Sequence, residues 1–259
     1  MDLGLQGQVA LVTGSGSGIG QAIALAFARE GAAVLVNDLG AAACEETLAL
    51  LRGEGLAGRA LPFDVADAAA CTAAIGGCER VDILVNNAAV MVNNLAFAEK
   101  PAADCEREIQ VSLFGTLNCA RAALPGMIAR GHGRIVNIVS DAARVGQEKE
   151  VAYSAAKGGV ISFTKSLARE VGQHGITVNA VSPAATDTPL RRALLQRLEE
   201  KMGADGVAAR EEKVRRAYPM RRIGRPEDTA ALVAFLASAA ASHVTGQICS
   251  VNGGFSMPG

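Results

Sequence analysis

Seven short runs rich in β-branched residues alternate with Ala-rich segments of helical period, and this alternation constrains the chain more than any other feature. Strands are expected over 8–13, 33–37, 59–63, 81–86, 133–139, 176–182 and 247–251. Helical period covers 19–30, 41–53, 67–78, 102–124, 151–174 and 226–237. Nearly continuous apolar strands need helices on both faces. Strand–helix alternation at this spacing implies right-handed crossovers. The expected fold class is therefore α/β, a single doubly wound parallel sheet of about seven strands. No linker, repeat or low-complexity tract divides the 259 residues.

Half the residues are apolar and the formal net charge is −1. That composition excludes intrinsic disorder and offers no basic footprint for nucleic acid. No apolar run reaches the roughly 18 residues of a membrane span, so no membrane association is expected. The first residues lack a basic, then apolar, leader pattern, and a cytoplasmic location is expected. Six cysteines (Cys44, Cys71, Cys78, Cys105, Cys119 and Cys249) are scattered without C-x-x-C pairing. They read as reduced, packed thiols, and no metal site is expected.

The first strand runs through Thr13-Gly14-Ser15-Gly16-Ser17-Gly18-Ile19-Gly20 directly into a helix. Glycines there allow a tight turn and let backbone N–H groups approach a pyrophosphate, which the helix N-terminus attracts. The spacing is G-x-x-x-G-x-G over Gly14, Gly18 and Gly20, with Ile19 where G-x-G-x-x-G would need its last glycine. Asp38, followed by Leu39, ends the second strand. A carboxylate at that point accepts from the ribose hydroxyls and repels a 2′-phosphate. No Lys or Arg lies in the glycine loop or next to Asp38, so the expected cofactor is NAD rather than NADP. Asp64, beside Val65 at the third strand end, is placed to accept from an adenine amino group. Asn86-Asn87-Ala88-Ala89 ends the fourth strand with side chains small enough for close cofactor approach.

Tyr153 and Lys157 are four residues apart at the start of a long helix, which puts both on one face. A free phenol, with a pKa of ~10, is a poor base near neutrality. A nearby ammonium favours the phenolate and lowers that value, making the pair fit to exchange a proton with an alcohol or carbonyl. Ser140, at the fifth strand end, is placed to donate to a substrate oxygen as charge develops on it.

These stretches together, with Pro183–Thr188 and the segment 244–254, identify the chain as resembling the short-chain dehydrogenase/reductase family over essentially its whole length. The resemblance implies a single Rossmann-like NAD(P)-binding domain over 1–259. It implies Tyr153 as acid/base, Lys157 as the group that lowers its pKa and holds the nicotinamide ribose, and Ser140 as the residue orienting substrate. It also implies Asn87, Pro183, Thr186 and Thr188 beside the nicotinamide half, and a homotetramer. Residues 133–146, Gly158-Gly159 and Thr186-Asp187-Thr188 further resemble bacterial dehydrogenases of secondary and cyclic alcohols, cyclic hydroxyacyl-CoA among them. The chain departs from the family at Val111-Ser112-Leu113, where the family's V-N-L carries an Asn that anchors a relay water. Ser112 is thus a candidate substitute in that relay. The family's N-N-A-G and P-G read Asn86-Asn87-Ala88-Ala89 and Pro183-Ala184.

Residues 189–225 break the rhythm as a small helical flap after the sixth strand, with polar helical stretches at 190–202 and 207–217 around Gly203 and Gly206. Eleven Lys and Arg face five acids there, six positive charges in excess. Two readings stand: solvated faces with ion pairs such as Glu211–Arg215, or attraction of an anionic substrate such as a carboxylate or CoA thioester. Met91, Val92, Leu95, Val145 and Leu190 read either as a greasy substrate pocket or as core. Asp141, Glu148, Lys149 and Glu150 read as a solvated turn. The functional expectation is an NAD-dependent oxidoreductase of a small secondary alcohol, cyclic or aryl, and its ketone, with a hydroxyacyl-CoA as one form of that substrate. A 3-oxoacyl-thioester reductase and a non-catalytic NAD-binding sensor or structural protein are the alternatives.

Overall fold

The computed structural model describes residues 3–258; Met1, Asp2 and Gly259 of the span 1–259 lie outside the described residues. In chain order the elements are β1 (Val9–Val12), α1 (Gly18–Arg29), β2 (Ala33–Val36), α2 (Ala41–Gly53), β3 (Gly58–Ala60), α3 (Ala68–Gly76) and β4 (Ile83–Asn86). Then come α4 (Ala102–Ile109), a π-helical turn (Gln110–Phe114), α5 (Gly115–Arg130), β5 (Gly133–Ile138), α6 (Ala142–Val145) and α7 (Val151–Val171). The chain finishes with β6 (Ile176–Pro183), α8 (Pro189–Ala217), α9 (Pro226–Ala237) and β7 (Ile248–Val251). All strand pairs are parallel, in the order β3-β2-β1-β4-β5-β6-β7. This is the Rossmann-like sheet expected. Strand order reverses between β1 and β4, so the ligand crevice opens at the carboxyl ends of those strands.

Side chains alternate between two cores as the strand period demands. Ala10, Val12, Val34 and Val36 face α1 and α9 with Ile23, Phe27 and Val233. Leu11 and Leu35 face the other layer, with Cys119, Met127 and Leu167 from α5 and α7. Three of the six thiols, Cys44, Cys71 and Cys119, are buried; the other three are half-buried, and all are free.

Three expected elements differ. β3 stops at Ala60 because Asn37 Nδ2 claims the carbonyls of Leu61 (3.0 Å) and Phe63 (3.1 Å), ending the regular ladder. The helix expected to stop at 124 runs on to Arg130. Pro125 sits on its exposed face, so the lost N–H and ring crowding fall on the solvent side. Gly131, at φ 62°, then ends it in the left-handed region. The two flap helices are arms of one bent element, α8, broken at Gly203 (φ 73°, ψ 166°), a backbone that favours glycine.

Candidate active site

The glycine loop lies at the switch point, and its shape depends on missing side chains. A Cβ at Gly20 would stand 2.3 Å from Gly14 O and 2.6 Å from Asn87 Nδ2. Gly18 has φ +60° and abuts Thr188, which places the base of the flap against the loop. Ser17, exposed, gives α1 no side-chain cap, and the first turn holds no acid. The positive end of α1 is therefore left for an external anion. Asp38, half-buried at the end of β2, accepts from Gly16 N (3.2 Å) and Leu39 N (2.9 Å). It has no ion pair among the described residues, and Leu39 beside it is exposed. A cradle that a Cβ would fill, an uncapped helix N-terminus and a carboxylate at the second strand end fit a nicotinamide dinucleotide.

Other expected cofactor residues are placed less directly. Asn87 spends its amide on Thr13 O and Gly14 O, both at 2.9 Å, so its visible work is to pin the loop to β4. Asp64 accepts from Ala66 N (2.8 Å) and pairs with Arg107 (3.3 Å), occupying the carboxylate expected to meet adenine. The Val65 side chain is 5% exposed and packed in the core, and its carbonyl takes Asn118 Nδ2 at 3.0 Å; no side-chain contact to a cofactor is open to it. Ile19 is half-buried and packs against the first core. Pro183 ends β6, Thr186 is buried with its hydroxyl on Ala184 O, and Thr188 caps α8 through Arg191 N.

Ser140, Tyr153 and Lys157 come together at the same sheet edge. Lys157 is 1% exposed; its ammonium donates to Ile138 O at 2.7 Å and lies 5.9 Å from the centre of the Tyr153 ring. Burial pulls its pKa down to about 8. Tyr153 moves the other way from the expectation: its pKa is pushed up to about 12. Burial dominates, the carboxylates of Glu150 and Glu108 add to it, and a hydrogen bond with Ser140 opposes it. The ammonium, engaged at Ile138 O, does not offset these in the isolated chain. Lys157 is thus correctly placed, but the phenol is held in its protonated form.

Several features were not foreseen. Lys100 and Glu108 form a fully buried ion pair at 2.5 Å, and Glu108 also accepts from Val92 N (2.9 Å). Glu150 is half-buried with a raised pKa, chiefly from burial and then from Glu108. Asp141 is 1% exposed, so the solvated-turn reading fails for it. Nothing in local sequence marks these acids as buried, because the groups that cover them come from distant segments. Val92, Leu95, Val145 and Leu190 are exposed and Met91 half-buried, which removes the core reading for the four exposed ones.

A family model described as enoyl-(acyl carrier protein) reductase matches residues 14–256. The chain belongs to the short-chain dehydrogenase/reductase family. It is 38% identical over 259 residues to (2S)-((R)-hydroxy(phenyl)methyl)succinyl-CoA dehydrogenase subunit BbsD of Thauera aromatica, covering 98% of this chain and 99% of that protein. It is 37% identical over 262 residues to 3-oxoacyl-(acyl-carrier-protein) reductase FabG of Vibrio harveyi, covering 98% and 100%. The crystal structure of a gluconate 5-dehydrogenase from Burkholderia cenocepacia J2315 in complex with NADP and tartrate superposes with a TM-score of 0.88 at 34% identity, covering 98% and 97%. Ser112 stands where the resemblance to the family implies an Asn. That hydroxyl is fully buried in the π-helical turn and lies 3.3 Å from Val90 N and 3.5 Å from Val90 O, so the loop after β4 already occupies it.

In the flap, five of the eleven cations are ion-paired: Arg191 with Glu211, Arg192 with Asp187, Arg215 and Arg216 with Glu212, and Arg222 with Asp228. The expected Glu211–Arg215 pair is absent because Glu211 turns to Arg191, across the Gly203 bend. No helix among the described residues is long and apolar enough to cross a membrane.

Proposed function

We propose that the chain is an NAD-dependent dehydrogenase interconverting a cyclic or aryl secondary alcohol, anionic or carried as a CoA thioester, with its ketone. The observation carrying this is the Ser140–Tyr153–Lys157 cluster beside the glycine loop, with the ammonium 5.9 Å from the phenol ring centre. A bound NAD supplies the hydride acceptor and a cationic ring in the cleft. In oxidation Tyr153 Oη, as phenolate, takes the hydroxyl proton while the carbinol C–H electron pair leaves as hydride and C=O forms. Ser140 holds the substrate oxygen through its hydroxyl, and Lys157 adds positive charge under the phenol. In reduction the protonated phenol, favoured by its high pKa, gives that proton back.

Asp38 supports NAD, since a carboxylate without a cationic partner repels a 2′-phosphate. The flap's positive excess supports an anionic substrate, as do the acyl-CoA and gluconate named for two of the similar proteins. The exposed Val145 and Leu190 supply apolar contact. A second reading, reduction of a 3-oxoacyl thioester, is favoured by the protonated Tyr153 and by likeness to the Vibrio reductase. We also propose a homotetramer in which the groove of about 370 Å³ between α5 and α7, lined by Leu117, Leu124, Ile128 and Phe163, meets a second copy. Sedimentation tests the latter. NAD reduction with 2-hydroxycyclohexanecarboxylate, 3-hydroxy-3-phenylpropionate and 3-hydroxybutyryl-CoA tests the former. Turnover that prefers NADPH and a 3-oxoacyl thioester selects the second reading; no turnover in either direction selects the sensor.

A further inference from the structure

Asp141 follows Ser140 and is buried without a cationic partner among the described residues. Its carboxylate collects donors from three places. Ser182 Oγ, at the end of β6, donates to Oδ1 at 2.7 Å. Asn252 Nδ2 (2.5 Å) and Ser256 Oγ (2.6 Å), from the tail after β7, donate to Oδ2. A buried carboxylate is costly unless both oxygens are hydrogen-bonded, and here both are. The Asn252 amide cannot reverse, because its Oδ1 accepts from Gly254 N (3.0 Å) while Nδ2 also reaches Ser256 O (2.7 Å). The tail is held elsewhere too. Arg144 reaches Ser250 Oγ (2.6 Å) and Pro258 O (3.1 Å), and Phe255 stacks on Tyr218 with centroids 5.1 Å apart.

The link to chemistry runs through one peptide. Asp141 N donates to Pro183 O at 3.1 Å, and its carboxylate fixes the same residue from the side-chain end. The next N–H, that of Ala142, donates to Ser140 Oγ at 3.2 Å and so sets which way the serine hydroxyl points its own proton. We propose that Asp141 is a positioning residue for Ser140, tying the serine's donor direction to the docked C-terminal tail through Asn252 and Ser256. The proposal rests on the functional reading above, and it makes a distant tail residue part of substrate-oxygen alignment.

The test uses the full chain and whichever of 2-hydroxycyclohexanecarboxylate, 3-hydroxy-3-phenylpropionate or 3-hydroxybutyryl-CoA it oxidises fastest with NAD. Ser140→Ala is expected to lower kcat about a hundredfold. Ser256→Ala, at the tail, lowers kcat about tenfold with KM for NAD unchanged. It also moves the rise of kcat with pH to more alkaline values, because the Ser140 hydrogen bond that favours the phenolate is weakened. Adding Ser256→Ala to Ser140→Ala produces no further loss. Asp141→Asn keeps an acceptor for Asn252 and turns its NH₂ to Ser182, whose hydroxyl can accept, so it recovers most of what Asp141→Ala loses. Unchanged kcat and pH profile in Ser256→Ala and Asp141→Ala, where Ser140→Ala is crippled, overturn the positioning role and leave the functional reading standing. Additive losses in the double variant overturn it as well. If Ser140→Ala retains turnover, or none of the three alcohols is oxidised, the functional reading and this proposal fall together.

Discussion

The glycine loop and the flap meet where Gly18 abuts Thr188, yet they are built on opposite terms. Around the loop, Ser15 is fully buried, donates to Val12 O at 2.7 Å and accepts from Asn37 N at 3.1 Å. Behind it Ile23 and Phe27 are fully buried. In the flap, none of the 29 residues of α8 is buried, and ion pairs of exposed or half-exposed side chains hold it. The difference follows the ligand. On the proposed function, a dinucleotide is read by backbone N–H groups whose positions must be fixed, whereas an anionic substrate would meet side-chain heads that stand in water. Substitution is therefore expected to hurt most in the cleft wall, less in the loop and least in the flap.

The largest effect belongs to Tyr153→Phe. Removing the proton carrier should lower kcat about 10³-fold in both directions, with NADH affinity unchanged by fluorescence titration. Weakened NADH binding of similar size would show the ring to be part of the cofactor wall instead. Lys157→Met should cost about 10²-fold in kcat and yet stabilise the fold near neutrality. The unfolded chain keeps this proton up to a pKa of 10.5, while the folded chain releases it near 8. Wild-type stability therefore rises with pH through that interval, by on the order of 3 kcal/mol at most for this group. Tyr153 acts oppositely: folded at about 12 against 10 unfolded, it lowers stability as pH climbs above 10. Urea melts at pH 7 and pH 9.5 check the sign, since the advantage of Lys157→Met must shrink at the higher pH.

In the loop, Gly20→Ala should weaken NAD binding about tenfold or more, because the new Cβ would meet Gly14 O at 2.3 Å. Asp38→Asn should narrow the proposed preference for NAD over NADP by a similar roughly tenfold factor. Isothermal titration with each dinucleotide reads both. An unchanged Kd for NAD in Gly20→Ala would erase the contrast between rigid loop and open flap.

Legibility in the sequence followed the same division. The alternation of strands and helices, the parallel sheet covered on both faces, the glycine loop and the Tyr153–Lys157 pair were readable because each rests on local period or short spacing. The burial of the Val65 side chain was not legible, because its position at a strand end says nothing of Gly115, whose missing side chain admits it to the core. Asp141 and Glu108 escaped because their partners lie 111 and 8 residues away in sequence, on elements whose packing no local pattern specifies. The Tyr153 pKa was misjudged for a related reason. Spacing placed an ammonium nearby, but it could not show that Ile138 O would take its proton or that Glu150 and Glu108 would surround the phenol.

The smallest effect, and the one that most sharpens the contrast, is expected from Glu211→Gln. Arg191 and Glu211 are only 16% and 17% exposed and join the two arms of α8 across Gly203, so this pair is the best-shielded link in the flap. Even so, partly exposed pairs contribute about 1 kcal/mol or less. The amide keeps one oxygen for the Arg191 guanidinium, which softens the loss further. Cleavage by trypsin within α8 should accelerate about fivefold, the factor that such an energy corresponds to. Thermal stability should stay where it is, because the two cores do not involve α8. With an anionic alcohol, kcat/KM should change by less than about threefold and keep falling as salt is added, since the flap's unpaired cations act at a distance that salt screens. A hundredfold loss of turnover in this variant would mean that the flap, though unburied, positions substrate as stringently as the loop positions the dinucleotide, and the ranking drawn from burial would be wrong.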